Sequence, residues 1–179
     1  MSTECPRAMT VFSPLRRPGA LVRNVVFWLH HGAGQQVRAL KFIHFAHFAL
    51  VRRFPDHGQP PERLAHSLLM FESNYDDTFA EYIDTFAYEA PRTLRWLWWK
   101  AFGFPGPRPT TPFKSYIKKN EFFIDHYYCA NRGATTREIL AALELERRHR
   151  RLAARAAGLS PERFAAEYRR FVRDAQELL

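Results

Sequence analysis

The chain has 179 residues, 46% of them hydrophobic and 15% aromatic, with 16 Phe and 4 Trp, a composition that excludes a disordered chain and is enough for one core. Twenty-seven Lys and Arg against 18 Asp and Glu give a net charge of +9, a field that favours acidic lipid or nucleic acid as partner. Cys5 and Cys129 are too few and too far apart for a disulfide scaffold and fit a reducing compartment, so the protein is expected to be cytoplasmic or at most peripheral to a membrane.

In chain order, residues 1–19 carry Pro6, Pro14, Pro18 and Gly19 among Arg7, Arg16 and Arg17, and read as a loose basic arm. Residues 1–53 hold eight basic residues against the single acid Glu4, so the positive field belongs mainly to this segment. Leu21, Val22, Val25, Val26 and Leu29 recur at helical spacing and predict a short helix that ends near Gly32 or Gly34. The apolar run from Val25 to Leu29 is too short for a bilayer, which needs ~20 residues, and no small-residue cleavage site follows it.

Phe42 to Val51 is continuously apolar and predicts a strand covered on both faces, and Ser67 to Tyr75 predicts a second strand. Thr78 with Glu81 forms a capping box ahead of the stripe Phe79, Tyr82, Ile83, Phe86 and Ala90, so a helix follows. Pro91 interrupts it, and Leu94, Leu97, Trp98, Ala101 and Phe102 continue on a shifted face. Residues 103–112 are a Pro- and Gly-rich loop, and Phe113 to Lys119 forms a short helix. Phe122 to Asn131 predicts a third strand, and Thr135 with Glu138 caps the next helix. After Gly158, Ser160 and Pro161 open a last helix with the stripe Phe164, Tyr168, Phe171, Val172, Ala175 and Leu179. The resulting division is a basic arm with a short helix over 1–40, an α+β core over 41–157 and a C-terminal helix over 158–179.

His44 and His47 suggest a metal pair, but an odd spacing on a strand sends them to opposite faces, and no metal site is expected. The chain has no G-x-S-x-G, paired C-x-x-C or H-E-x-x-H, and His30-His31-Gly32-Ala33-Gly34 lacks the rest of a phosphate loop. Glu72 and Asp125 lie in otherwise apolar strands and require partners. Strand alternation groups Leu68, Met70, Glu72 and Asn74, then Ile124, His126 and Tyr128, and then His44 with Phe42, Ala46 and Phe48. Were these sides to coincide, the catalytic set would be Glu72 or His126 as the acid-base group with His44 as its orienter, and Asn74, Tyr128, Phe48 and Met70 would be the ligand-binding residues. Strand-end pairing of Glu72 and Asp125 with Arg or Lys is the competing reading. Separately, Arg92, Arg95, Trp96, Trp99 and Lys100 mix cations with indoles, as a membrane interface or a partner contact does. The Arg147, Arg151 and Arg155 stripe is diluted by Glu144 and Glu146, so nucleic acid is not the expected partner.

The strand Ile43-His44-Phe45-Ala46 and the run Leu69-Met70-Phe71-Glu72-Ser73-Asn74-Tyr75-Asp76, leading into Thr78-Phe79-Ala80-Glu81-Tyr82-Ile83, resemble the ferredoxin-like half of the dimeric α+β-barrel superfamily. They are also similar to small bacterial domains linked to peroxide and lipid oxidation. The resemblance covers roughly residues 41–131, and the fold's first βα unit is not evident. It implies a small, mainly antiparallel ferredoxin-like sheet packed by helices, a homodimer, and an oxidoreductase acting on an apolar or lipid-like substrate, with haem as one cofactor the superfamily uses. The alternative is a non-enzymatic module that meets an anionic membrane or a partner through its basic, Trp-rich surface.

Overall fold

Buried positions at Met9, Val11 and Ser13 alternate with half-exposed neighbours, so residues Arg7–Pro14 form a strand, β1. The computed structural model describes residues 6–17, 42–129 and 133–178. After β1 come β2 (Ile43–Val51), β3 (Leu68–Tyr75), α1 (Phe79–Glu89), α2 (Pro91–Leu97), α3 (Thr110–Asn120), β4 (Glu121–Phe122), α4 (Thr136–Ala156) and α5 (Pro161–Gln176). The helix expected near residues 21–29 lies outside the described residues.

The sheet has the order β2-β3-β1-β4 with every neighbouring pair antiparallel. β3 lies between β1 and β2, and β1 lies between β3 and β4, so each of these two consecutive pairs is split by a third strand. The expected α+β class with a small antiparallel sheet is therefore present, and its first strand is the one that sequence patterning did not reveal. Residues 7–14 are not part of a loose arm. They pair along their whole length with β3, from Arg7 opposite Tyr75 to Pro14 opposite Leu68. Pro14 is tolerated because it ends the strand.

Two other expectations change. β2 is an edge strand that is half-buried rather than covered on both faces, with Phe45 52% exposed. Of the third strand expected over Phe122 to Asn131, the described residues form only the pair Glu121–Phe122, after which residues 123–129 follow an irregular path, and residues 130–131 lie outside the described residues. Its alternation therefore assigns no common side to His126 and Tyr128.

One sheet face packs on α1, α2 and α3. Val11, Phe71 and Tyr75 meet Tyr82, Phe86, Leu94, Trp98, Phe113 and Ile117. The face carries two buried hydroxyls, and each has a partner. Trp98 Nε1 donates to Ser13 Oγ at 3.0 Å, and the Tyr82 hydroxyl donates to Ser73 Oγ at 2.9 Å. The Thr78–Glu81 and Thr135–Glu138 capping boxes both form, and Ser160 caps α5. α2 stops at Leu97 instead of running to Phe102, because Lys100 adopts φ 68° and Ala101 bridges to Leu15. α4 and α5 form a hairpin held by Arg155–Glu167 at 3.1 Å and by an Arg148 bond to the Asp174 carbonyl at 3.2 Å. The buried residue of the hairpin, Leu152, is outside the main core cluster.

Candidate functional site

A β-bulge sets the geometry of the site. Ile43 pairs with Tyr75 and Phe45 with Asn74, so His44 is the extra residue on β2. The bulge shifts the alternation by one position. Ala46, Phe48 and Leu50 face the core, while Phe45 and His47 join Asn74 and Glu72 on the other face.

His44 consequently reaches the end of β3, where its Nε2 lies 2.6 Å from Asp76 Oδ1. The other carboxylate oxygen, Oδ2, accepts the Thr136 N–H at the start of α4 at 2.8 Å. The two side chains are 18% and 10% exposed. Asp76 thus joins three elements, and its negative charge suits the N-terminal end of α4. Asp77, at φ 68°, makes the turn that separates this carboxylate from the Thr78 cap of α1.

Beside the pair lies an open cavity of ≈ 360 Å³ on the face of the sheet away from α1. Phe45 and Asn74 form its floor, Tyr127, Tyr128 and Cys129 one wall, and Ile139 of α4 another. Asn74 Nδ2 donates to the Tyr127 hydroxyl at 2.5 Å, which ties the irregular segment down onto the sheet. Aromatic and aliphatic walls with a few polar groups are the usual composition of a small-molecule site.

Of the residues expected from sequence, His44, Asn74 and Tyr128 meet at this cavity. The other four do not line it. Glu72 sits further along the same face, where Thr10 Oγ1 donates to its Oε1 at 3.4 Å and His47 Nδ1 lies 3.1 Å from its Oε2, off the line of a hydrogen bond. It pairs with a histidine rather than with Arg or Lys. Met70 is half-buried near it, between Phe12 and Ala49 in the register. Phe48 is on the opposite face, stacked on Phe71 at 4.7 Å, so the expected grouping of His44 with Phe48 fails at the bulge. His126 is exposed on the irregular segment. Sequence reasoning missed Asp76, which reads as a strand terminator, because its partners Thr136 and His44 are distant in the chain.

Haem needs an axial ligand, and neither histidine of the expected catalytic set fits that need, since His126 does not line the cavity and Asp76 engages Nε2 of His44. Among the described residues, no group of three His, Cys, Asp or Glu side chains is placed to hold a metal ion, and no helix is long and apolar enough to cross a membrane.

On the surface, Arg92, Arg95, Trp96, Trp99 and Lys100 are all exposed, whereas Trp98 is in the core. Comparison with protein-family models, with curated proteins and with solved structures finds no match to this chain.

Proposed function

We propose that the domain binds a small, largely apolar molecule carrying a protic group, and that His44, held by Asp76, is its acid-base residue. The observation that carries the reading is the 2.6 Å His44–Asp76 contact at the edge of a cavity walled by aromatic side chains. A carboxylate that accepts from Nε2 selects the tautomer in which Nδ1 is the acceptor, and Nδ1 is then the nitrogen left to take a proton from a ligand. Asn74 supplies a polar group beside it, and Phe45 with Ile139 supplies apolar contact. An oxidative step on the deprotonated molecule, as the resemblance implies, requires an oxidant from outside these residues and is not part of the proposal.

The test is a titration of the full chain with a panel of monocyclic phenols, read by amide chemical shifts. Saturable shifts at Asn74 and Ile139 that disappear in a folded His44→Ala variant are expected. Absence of any saturable shift across the panel, or shifts unchanged by His44→Ala, would overturn the reading. A visible absorption spectrum of the isolated protein independently reports any haem or flavin.

A further inference from the structure

The C-terminal end of β1 and the segment after α2 are joined at the end of the strands farthest from the cavity. Leu15 bridges to Ala101, the Arg16 N–H donates to the Lys100 carbonyl at 2.8 Å, and the Phe102 N–H donates to the Pro14 carbonyl at 2.9 Å. These bonds bring two acid-free stretches of sequence together. No Asp or Glu occurs from Cys5 to Pro55 or from Ala90 to Asn120.

The surface made there is cationic and aromatic at once. Trp96 is 53% exposed, Trp99 40% and Phe102 39%, and Arg16, Arg17, Arg92 and Arg95 are exposed around them. Cations sit on the rings, with the Arg16 guanidinium 5.1 Å from the Phe102 centroid and Lys100 Nζ 5.0 Å from that of Trp99. The β2–β3 connection opens at the same end of the sheet and adds Arg52, Arg53 and Arg63 against Asp56 and Glu62. One of those acids is engaged locally, Asp56 accepting the Gly58 N–H at 3.0 Å.

We propose that this end of the sheet is a docking surface for an anionic lipid bilayer. Trp96 and Trp99 stand edge to face with centroids 6.2 Å apart, an exposed pair of indoles with the Lys100 ammonium on one of them and the exposed Arg92 and Arg95 on the same short helix. That arrangement suits the headgroup level, where indoles settle and basic side chains meet acidic lipid. Single-stranded nucleic acid is instead bound by rings spaced along a cationic groove, so that successive bases stack. The His44–Asp76 cavity lies at the opposite end of the strands, seven residues along β1 or about 23 Å away, and so faces water while the basic end is docked. The surface therefore places the domain at a membrane without feeding lipid into the cavity.

Co-sedimentation of the full chain with vesicles of phosphatidylcholine containing about 30% phosphatidylserine tests this. Binding that weakens steeply between about 0.1 M and about 0.5 M salt, and that is absent from pure phosphatidylcholine, is expected. Arg92→Glu with Arg95→Glu, and separately Trp96→Ala with Trp99→Ala, each lower the partition at least about tenfold. Arg169→Glu with Arg170→Glu on α5 removes the same net charge elsewhere and leaves binding within about twofold. Equal loss in that control would show adhesion by net charge alone and overturn the proposal. Binding to neutral vesicles, or displacement of the protein from anionic vesicles by a single-stranded oligonucleotide, would overturn it equally.

Discussion

Asp76 shows how one side chain can join three elements. It takes the His44 imidazole from β2, the first helical N–H from α4 and a place at the end of β3. Asp76→Ala leaves a half-buried imidazole and a helix-terminal N–H without their acceptor, a loss of about 1–3 kcal/mol. Asp76→Asn keeps an acceptor oxygen and costs less. Urea unfolding of both variants checks this, and an Ala variant as stable as the parent would deny the carboxylate its bridging role. Tyr82 carries a second residue-scale prediction. Burial pushes its phenol well above the ordinary value of 10.0, against the opposing hydrogen bond with Ser73, and Tyr75 beside it is raised by burial and then by the Glu121 carboxylate. The unfolded chain releases these protons near the ordinary value while the folded chain keeps them. Stability is thus unaffected below pH 10.0 and falls as pH rises above it. Tyr82→Phe costs about 1 kcal/mol near neutral pH through loss of the Ser73 bond. It also removes one buried phenol, so its deficit relative to the parent shrinks from about pH 9 to about pH 11. A deficit that stays constant or widens in urea midpoints over that range would refute the assignment.

At the scale of elements, β1 is the part of the fold whose importance is hardest to anticipate. It lies between β3 and β4 and places Met9 and Val11, 1% and 0% exposed, in the core. Removing residues 1–15 is expected to abolish cooperative unfolding, and Met9→Ala to cost about 2–5 kcal/mol. A truncated chain with parental near-ultraviolet dichroism would return these residues to a loose arm. The helices with capping boxes were legible in sequence because Thr78–Glu81 and Thr135–Glu138 are local signals with local bonds. The α+β class and β3 were legible for a similar reason. β1 was not, because its alternation is short and is surrounded by Pro and Arg that speak for a loop. Phe122 to Asn131 has the composition of a strand, yet among the described residues the pairing with β1 stops at Glu121 and Phe122, opposite Val11 and Thr10. Tyr127 then turns onto the sheet face to meet Asn74. The site suffered from one inserted residue. The bulge takes His44 off the face of Ala46 and Phe48 and brings Ile43 onto it, and strand alternation read from sequence has no means to show that. Asp76 needs its two distant partners before it looks like anything other than a turn.

For the whole molecule, two apolar surfaces stand out among the described residues, the second face of the sheet and the outer side of the C-terminal hairpin. The first carries Phe12, Met70 and the Thr10–Glu72–His47 row, half-buried, on the side away from α1 to α3. The second carries Leu143 at 57% and Tyr168 at 49% exposed, with Leu140, Phe164 and Val172 also exposed. Phe171 is turned inward, 6.1 Å from His149, so the hairpin closes over part of the α5 stripe and leaves the rest open. Apolar residues that recur on one side of a well-capped helix and remain exposed after intramolecular packing are available to a second copy. We therefore expect the chain to self-associate as a dimer through the hairpin. In sedimentation at micromolar concentration the parent should run above the 21.0 kDa of one chain. Tyr168→Glu with Leu143→Glu, both at exposed positions, should return it to a monomer with unchanged unfolding cooperativity. Met70→Glu separates the two surfaces. If it dissociates the dimer while the hairpin pair does not, the interface is the sheet face, and the hairpin has no part in self-association.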